Sequence, residues 1–555
     1  MKRISLIIAA ALVSISLPST SSMSPPAELQ AGAASVSITP FGPNPEWDGT
    51  ITDSGVWGEK FTDSNHNGRW DTGEAFEDDP GNSALDRNSA SKYDGIYLAG
   101  FGQNRLATGK HDDLWARALV LGSGPVRMAF VSIDVIGYYS RGSYYGLEKI
   151  RKEVDSSLGI GEILISSTHS HEGPDTIGAW GVNPFSDGKY PKYLKFVDRQ
   201  IAGAITRAAR SMVPVRMRAG VTTPSASPAI AGLQVRNGER PPIFFDDELR
   251  VLQWVGTGGP NEGKTVATLV NWNTHPESME SENTVLTSDF PNAARQSIEE
   301  KCGGVALYFS GDLGAVEVVG DNESNSLQRT RFNGTEFPLS GRTKAAAFTF
   351  ARTEAIGRDV ALAAMDALNS AEWVTVPAIE MRKGEIRVPM DNAGYALLAG
   401  KGVLDRGIIR EADGAAFVES QVYAVTLGSV QIVTAPGELF PELFHGLDKH
   451  HRTDCPKADT GRPLEPGVRD RMTGRYRLIF GLCPDELGYI VPGYDFRPPS
   501  LDPDHPSMRL APDACKSSGV PDHYHEFNSA SSTLAPVWCR VAGSLFDRRQ
   551  LDTGR

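Results

Sequence analysis

Four apolar segments of this chain each run straight into a cluster of polar side chains, and that repeated arrangement limits the possible folds more than any other feature. Ile163-Leu-Ile165 leads into Ser-Ser-Thr-His169-Ser-His171-Glu-Gly-Pro174, and Thr265–Trp272 leads into Asn273-Thr-His275-Pro276. Val422–Thr434 ends at Ala435-Pro-Gly-Glu438, and Arg475–Gly481 is followed by Leu482-Cys-Pro-Asp-Glu-Leu-Gly-Tyr489. Short apolar runs bounded by Gly, Pro and Ser read as buried strands. Ligand and catalytic groups gather just past strand ends in α/β sheets. Further strands fit 34–40, 116–121, 128–135, 216–221, 249–255, 305–310 and 378–388. Helices fit Tyr144–Leu158, Tyr193–Met212, Pro291–Lys301 and Ala345–Ser370, with others beginning near Glu438 and closing the chain. This alternation predicts an α/β fold of mixed β-sheets flanked by helices.

The two histidines after Ile165 carry the first chemical signal. Side chains two apart on an extended segment point the same way. His169 and His171 are therefore expected to project together from the mouth of a sheet, where neutral imidazoles can hold a metal. Turn histidines that bond nearby backbone are the plainer reading of such a pair. His275 and Glu438 have plain readings of their own, as a capped loop histidine and as a helix-opening acid. What favours a metal is that all of them follow strand ends.

A second metal signal lies in the polar stretch between Phe41 and Tyr93. Asp63-Ser-Asn65-His-Asn67-Gly68-Arg69-Trp-Asp71-Thr-Gly-Glu74 fits the spacing D-x-[DN]-x-[DN]-G-x5-E at every position. Calcium takes six to eight oxygens. Asp63, Asn65, Asn67, the Arg69 carbonyl, Asp71 and a bidentate Glu74 supply them, and no amphipathic helices flank the loop. The expected role is structural, in an insertion spanning about 41–93.

Location follows from the amino terminus. Lys2-Arg3 precede an apolar run from Ile4 to Leu17, followed by small residues, so residues 1–26 read as a cleaved signal peptide and 27–555 as the exported domain, secreted or periplasmic. The net charge of −13 argues against nucleic acid as a partner. No later stretch is apolar enough to span a membrane. Four of the five cysteines, Cys455, Cys483, Cys515 and Cys539, lie near the end, and two disulfides among them are expected, with Cys302 reduced.

Across nearly its whole mature length the chain resembles the neutral/alkaline non-lysosomal ceramidase family. The resemblance rests on Ala34-Ser-Val-Ser-Ile-Thr-Pro40, His111-Asp-Asp-Leu-Trp-Ala-Arg-Ala118, Ser167-Thr-His169-Ser-His171-Glu-Gly-Pro174, Asn271-Trp-Asn-Thr-His275 with Ser278-Met279, Ala435-Pro-Gly-Glu438, Gly488-Tyr489-Ile490 and Tyr524-His-Glu-Phe-Asn-Ser-Ala-Ser531. It implies a ceramidase-like catalytic domain, without the family's C-terminal immunoglobulin-like domain. It also implies one catalytic zinc held by His169, His275, Glu438 and Tyr489, with His171, Tyr524 and Arg236 lining the site. The implied reaction is zinc-dependent hydrolysis of a linear amide by zinc-bound hydroxide, in a ceramide-like or other lipid-like N-acyl substrate of sphingolipid metabolism. His171 would carry the proton, with His111 or Tyr524 next in line. Asp134 and Asp289 are candidates to orient the ligand imidazoles. The span Asp391–Gly414 lacks the Gly-Thr-Ser-rich insertion that faces substrate in the family. That keeps open a zinc esterase or other hydrolase on the same fold, or a non-catalytic exported metal-binding protein.

Overall fold

The computed structural model describes residues 28–40, 62, 64, 75, 96–236, 244–318, 331–332, 335–336, 348–447, 461–496, 500–501, 508–509 and 524–547. The calcium-loop residues Asp63, Asn65, Asn67, Arg69, Asp71 and Glu74, the signal segment, Cys455 and Cys515 lie outside them. The first half supplies β1 (Gln30–Ser37), β2 (Trp115–Ser123), β3 (Val126–Ile133), α1 (Leu147–Glu153), β4 (Glu162–Ser167), α2 (Pro191–Arg210), β5 (Val213–Thr222), β6 (Leu249–Gly256), β7 (Thr265–Trp272), α3 (Phe290–Cys302) and β8 (Val305–Ser310). Next come α4 (Phe350–Asn369), β9 (Glu372–Val374), β10 (Ile379–Pro389), β11 (Ile408–Arg410), β12 (Ala416–Leu427), β13 (Val430–Thr434), β14 (Glu438–Leu439), α5 (Pro441–His445), β15 (Tyr476–Phe480), β16 (Tyr489–Ile490) and α6 (Leu534–Ser544).

Most of these strands form two mixed sheets, and β14 pairs with β16 in a separate two-stranded one. The larger has the order β8-β7-β6-β5-β1-β2-β3-β4, with β9 paired to β5. The pairs β7–β8 and β3–β4 are parallel, and the rest are antiparallel. The smaller has the order β10-β12-β13-β15, with β11 on β12 and the pair β13–β15 parallel. One core mixes Leu121, Phe130, Leu164, Trp254 and Phe309 of the large sheet with Val425, Ile432, Leu478 and Phe480 of the small one. The sheets therefore stack face to face, and Phe309 lies flat on Phe480 with ring centres 4.3 Å apart.

Helices cover the outer faces. α1 and α2 lie over Ala118, Val120 and Val131, while α3 and α4 lie over Val251, Val270 and Trp272. α6 seals the small sheet through Trp538 and Ala542. Along β2, Ala118 and Val120 face helices while Leu119 and Leu121 face the other sheet. A strand buried on both sides needs no polar alternation, which is why the apolar runs alternate poorly.

Several local expectations are corrected. The single strand read from Val422 to Thr434 is a hairpin, β12 and β13, turning at Gly428 with φ 62°. Glu438 opens a two-residue strand rather than a helix, since α5 starts at Pro441. Cys483 and Cys539 are free thiols buried in different cores, so disulfides through them do not form, and Cys302 is also free.

Asp134 does not orient an imidazole. Both its oxygens accept from Arg295, at 2.7 and 2.8 Å, and Oδ2 also accepts from Ser288 Oγ and the Trp115 amide. Asp289 caps α3 through the Phe290 amide and accepts from the Ser278 amide and Oγ. Both carboxylates fasten the α3 end of the sheet. Breaking the buried Asp134–Arg295 pair should be costly because it strands one charge. Asp134→Ala is expected to lose about 3–5 kcal/mol, read as a fall in the urea midpoint, whereas the double change Asp134→Leu/Arg295→Met should recover most of it. A single variant as stable as wild type would show that the pair contributes nothing.

Candidate metal centre

The site is built where both sheets end. β4 stops at Ser167, after which the Thr168 amide donates to Ile133 O and the His169 amide to Val135 O. His169 itself takes a left-handed backbone, φ 69°. The expected extended His-x-His geometry is therefore replaced by a turn, yet the turn still brings the rings together, with centres 4.9 Å apart. A non-glycine residue held left-handed is uncommon and costs energy that surrounding contacts must supply. Here the His171 amide donates to Pro276 O at 3.0 Å, joining this loop to the one after β7.

That second loop delivers His275. Its amide and its Nδ1 both lie against Val316 O, at 3.0 and 2.7 Å. His169 Nδ1 likewise lies 2.5 Å from Ile136 O. A ring whose Nδ1 donates to a carbonyl presents Nε2 as a lone pair, the tautomer that metal-ligating histidines adopt. Both Nε2 atoms meet the same atom, Glu438 Oε2, at 3.4 Å from His169 and 3.1 Å from His275. Three such atoms meeting at one point could hold a cation between them.

A separate two-stranded sheet supplies the opposite wall. β14 and β16 pair in parallel with Glu438 beside Tyr489, and the Tyr489 ring centre lies 6.4 Å from that of His275. Burial alone would raise the Glu438 carboxyl, but the two imidazoles outweigh it and hold the group down to about 2. His171 completes a group with His169 and His275 whose donor atoms lie within 4.8 Å of one another. Its pKa is pushed well below the ordinary value by burial, then by the neighbouring imidazoles and Arg105, so it is neutral at pH 7. Neither His171 nitrogen has a hydrogen-bond partner among the described residues. A buried polar group is normally satisfied, so these orphan atoms mark a place for something else to bind. Imidazole nitrogens plus one carboxylate, dry and neutralised by an added dication, are the donor set of a zinc-type ion.

The remaining expected residues divide. Arg236 lies on a strand, Gln234–Arg236, whose Cα register partner for Arg236 is Val316, the residue that holds His275. Tyr524 opens a short helix, Tyr524–Phe527, that leads to Asn528, whose carbonyl accepts from the Tyr489 amide. The backbones of both thus approach the site, and their side chains lie outside the described residues. His111 stacks on Phe350 and lies 3.5 Å from Glu354, apart from the imidazole group.

Two features were not legible in the sequence. Glu277 Oε2 lies 3.3 Å from His171 Nδ1. A second group, Asp246, Asp312 and His445, also has the residue types of a metal site. There Arg250 grips Asp246 at 2.7 and 3.1 Å, and Arg469 donates to His445 Nδ1 at 3.1 Å. The proton of His445 is thereby placed on Nε2, 3.2 Å from Asp246. Burial, then the Asp246 charge, pushes the Asp312 carboxyl well above the usual range. Arginines thus engage Asp246 and His445 Nδ1, while His445 Nε2 and both Asp312 oxygens have no hydrogen-bond partner among the described residues.

Taken together, fold and site define a stacked two-sheet α/β protein with a buried imidazole–carboxylate centre at its strand ends. The fold is that of neutral ceramidase. The chain matches the crystal structure of neutral ceramidase from Pseudomonas aeruginosa with TM-score 0.57 and 12% identity, covering 94% of this chain and 75% of that one. It matches a ceramidase complexed with C2 with TM-score 0.56 and 13% identity, over 95% of this chain and 76% of that one. Residues 92–326 match the neutral/alkaline non-lysosomal ceramidase family in its N-terminal part, so the resemblance read from the motifs between His111 and Met279 holds over that segment.

Gly100 backs the His171 ring and carries the prediction of this site. Its φ is +90°, and a Cβ there would lie 2.3 Å from His171 Cγ and 2.6 Å from Nδ1. Gly100→Ala should cost at least about 1–2 kcal/mol from backbone strain alone and displace the ring. Thermal denaturation with a crystal structure of the variant would check this; an unchanged midpoint and ring position would show that the loop yields freely.

Proposed function

We propose that this protein is an exported, zinc-dependent hydrolase of linear N-acyl amides, with ceramide or a ceramide-like lipid as substrate. The observation that carries the reading is the convergence of two carbonyl-anchored imidazoles on the single oxygen of Glu438, with the unpartnered His171 beside them. The ceramidase match over residues 92–326 supports the substrate class. Among the described residues no helix is long and apolar enough to cross a membrane. The first 26 residues would serve as the export signal.

His169, His275, Glu438 and Tyr489 would hold the zinc. Bound there, zinc would acidify a water towards a pKa of ~7 and polarise the acyl carbonyl. His171 is neutral and within reach of the same space, so it can take a proton from the attacking water and hand it to the departing nitrogen. Arg236 and Tyr524 would donate hydrogen bonds to the oxygen that gains charge. Burial of the centre keeps these interactions strong by excluding bulk water.

His169→Ala and His275→Ala should each lose zinc and all turnover, since removing one ligand of such a site weakens binding severely. His171→Ala should keep its zinc and lose roughly 10²–10⁴-fold in turnover. Metal analysis and a panel of N-acyl amides and esters would check both. Full zinc in either ligand variant, or hydrolysis of esters alone, would defeat the reading.

Calcium at Asp63–Glu74 would have a structural role. The segment is entered and left at a hydrogen-bonded pair, with the Thr62 amide donating to Ala75 O at 2.8 Å, which suits a loop closed around an ion. Calcium should raise the thermal midpoint of the wild type by linkage, and Asp63→Ala or Glu74→Ala should abolish that rise while sparing turnover at low temperature. A melting curve indifferent to calcium would reduce the loop to a turn.

A further inference from the structure

We infer that Arg105 is a positioning residue of the metal centre, a guanidinium that ties three loops together around His171 and so sets where that ring stands. The inference rests on the hydrolase reading above, in which His171 works beside the metal. Tyr97 and Leu106 form an antiparallel bridge, and the Leu98 amide donates to Arg105 O, so residues 98–105 close into a loop. From the end of that loop Arg105 reaches back with both terminal nitrogens. Nη2 donates to Ala99 O at 2.9 Å and to His171 O at 2.8 Å, and it lies 3.3 Å from Glu172 Oε2. Nη1 donates to Glu280 O at 3.2 Å, in the loop that follows His275. A planar fork of donors holds several acceptors in one fixed arrangement, which a flexible lysine ammonium does not.

The His171 ring depends on this clip because little else orients it. Neither of its nitrogens makes a hydrogen bond among the described residues. Its placement therefore comes from its backbone and from packing, and Arg105 acts on both. The guanidinium fixes the His171 carbonyl directly. Its Cζ also lies over Phe101, 5.0 Å from the ring centre, and Phe101 meets the His171 ring edge-on at 5.0 Å. By holding Ala99 O it steadies the backbone next to Gly100, which backs the same imidazole.

The backbone around the clip carries strain that these bonds offset. Asn104, immediately before Arg105, and Glu280, whose carbonyl it holds, are both left-handed, with φ of 64° and 60°. Such residues persist only where surrounding contacts over-determine them. Asn283 Nδ2 donates to Glu172 Oε2 at 2.9 Å, which ties the acid beside Arg105 to the Glu280 loop as well. Arg105 is buried, and it contacts the chain's own carbonyls, Glu172 and Phe101, so it acts through His171. Without it the ring is free to drift, and a displacement of about 1 Å in a working group can cost about 10²-fold in rate.

The test uses the full-length, zinc-loaded protein and its Arg105→Met variant, which keeps an apolar stem and loses every donor. The variant should keep its zinc, and its crystal structure should show the His171 ring displaced while His169 and His275 stay in place. With the best N-acyl amide, kcat should fall by about 10–10²-fold with KM little changed. In a His171→Ala background the same substitution should cost no further turnover. An unmoved ring, a moved ring with full kcat, a loss of zinc, or losses that multiply in full in the double variant would each overturn the inference. If Arg105→Met does not fold, Arg105→Lys, which keeps the charge opposite Glu172 and loses the fork, carries the same readouts. Should the wild type cleave no N-acyl amide, the hydrolase reading fails, while the ring position still decides whether Arg105 holds His171.

Discussion

Everything at the centre depends on two hydrogen bonds to backbone carbonyls. Ile136 O and Val316 O take the Nδ1 protons of His169 and His275; Ile136 lies in the loop after β3, and Val316 opens a short strand, Val316–Val318. Without them either ring could flip or change tautomer, and neither Nε2 would be committed to Glu438 as a lone pair. With them, both Nε2 atoms are held 3.1–3.4 Å from one carboxylate oxygen. The meeting of these three atoms is thus set by the backbone trace.

The carbonyls stay in place because the two sheets are tied together directly beneath the centre. Ser166 Oγ donates to Gly481 O, Asn271 Nδ2 to Phe309 O and Ile479 O, and Ser310 Oγ to Thr168 O. The Gly481 amide returns a bond to Ser310 O. These polar groups are buried at strand ends between apolar layers, where an unmade bond is expensive. They fix how far apart the sheets end, and hence the distance from the histidine loops after one to Glu438 and Tyr489, which follow β13 and β15 of the other. The flat contact of Phe309 on Phe480 continues the same junction inward.

This division explains what could be read from the chain beforehand. The strands were visible because burial on both faces makes them continuous apolar runs, and the candidate ligands because they follow those runs. His169, His275 and Glu438 do meet, each from a different loop or edge, and Tyr489 lies beside Glu438 in the strand pair. The route by which His169 and His171 meet was not visible, since a left-handed turn at a histidine leaves no mark in composition. Nor was the turn at Gly428 seen, because Val422–Leu427 and Val430–Thr434 read as one strand when the partner strand is unknown. Asp134 and Asp289 were misplaced for a related reason. An acid near a strand end suits a histidine or a helix cap equally, and only the packing of α3, with Arg295, Ser288 and the Phe290 amide, decides for the latter.

Glu438 and Glu277 show how one buried pocket can give two carboxylates opposite characters. Both are buried, and for both burial is the largest influence, favouring the neutral acid. At Glu438 two imidazoles outweigh that influence and the carboxyl is held down to about 2. At Glu277 the next influences are the like charges of Glu317, Glu280, Asp289 and Glu438, so the carboxyl is driven well above its usual range. Titratable groups pushed apart in this way take different tasks. Glu438 is a permanent anion suited to a permanent cation. Glu277, 3.3 Å from His171 Nδ1, is pushed the other way. A site crowded with acid can thus move two of its carboxyls in opposite directions.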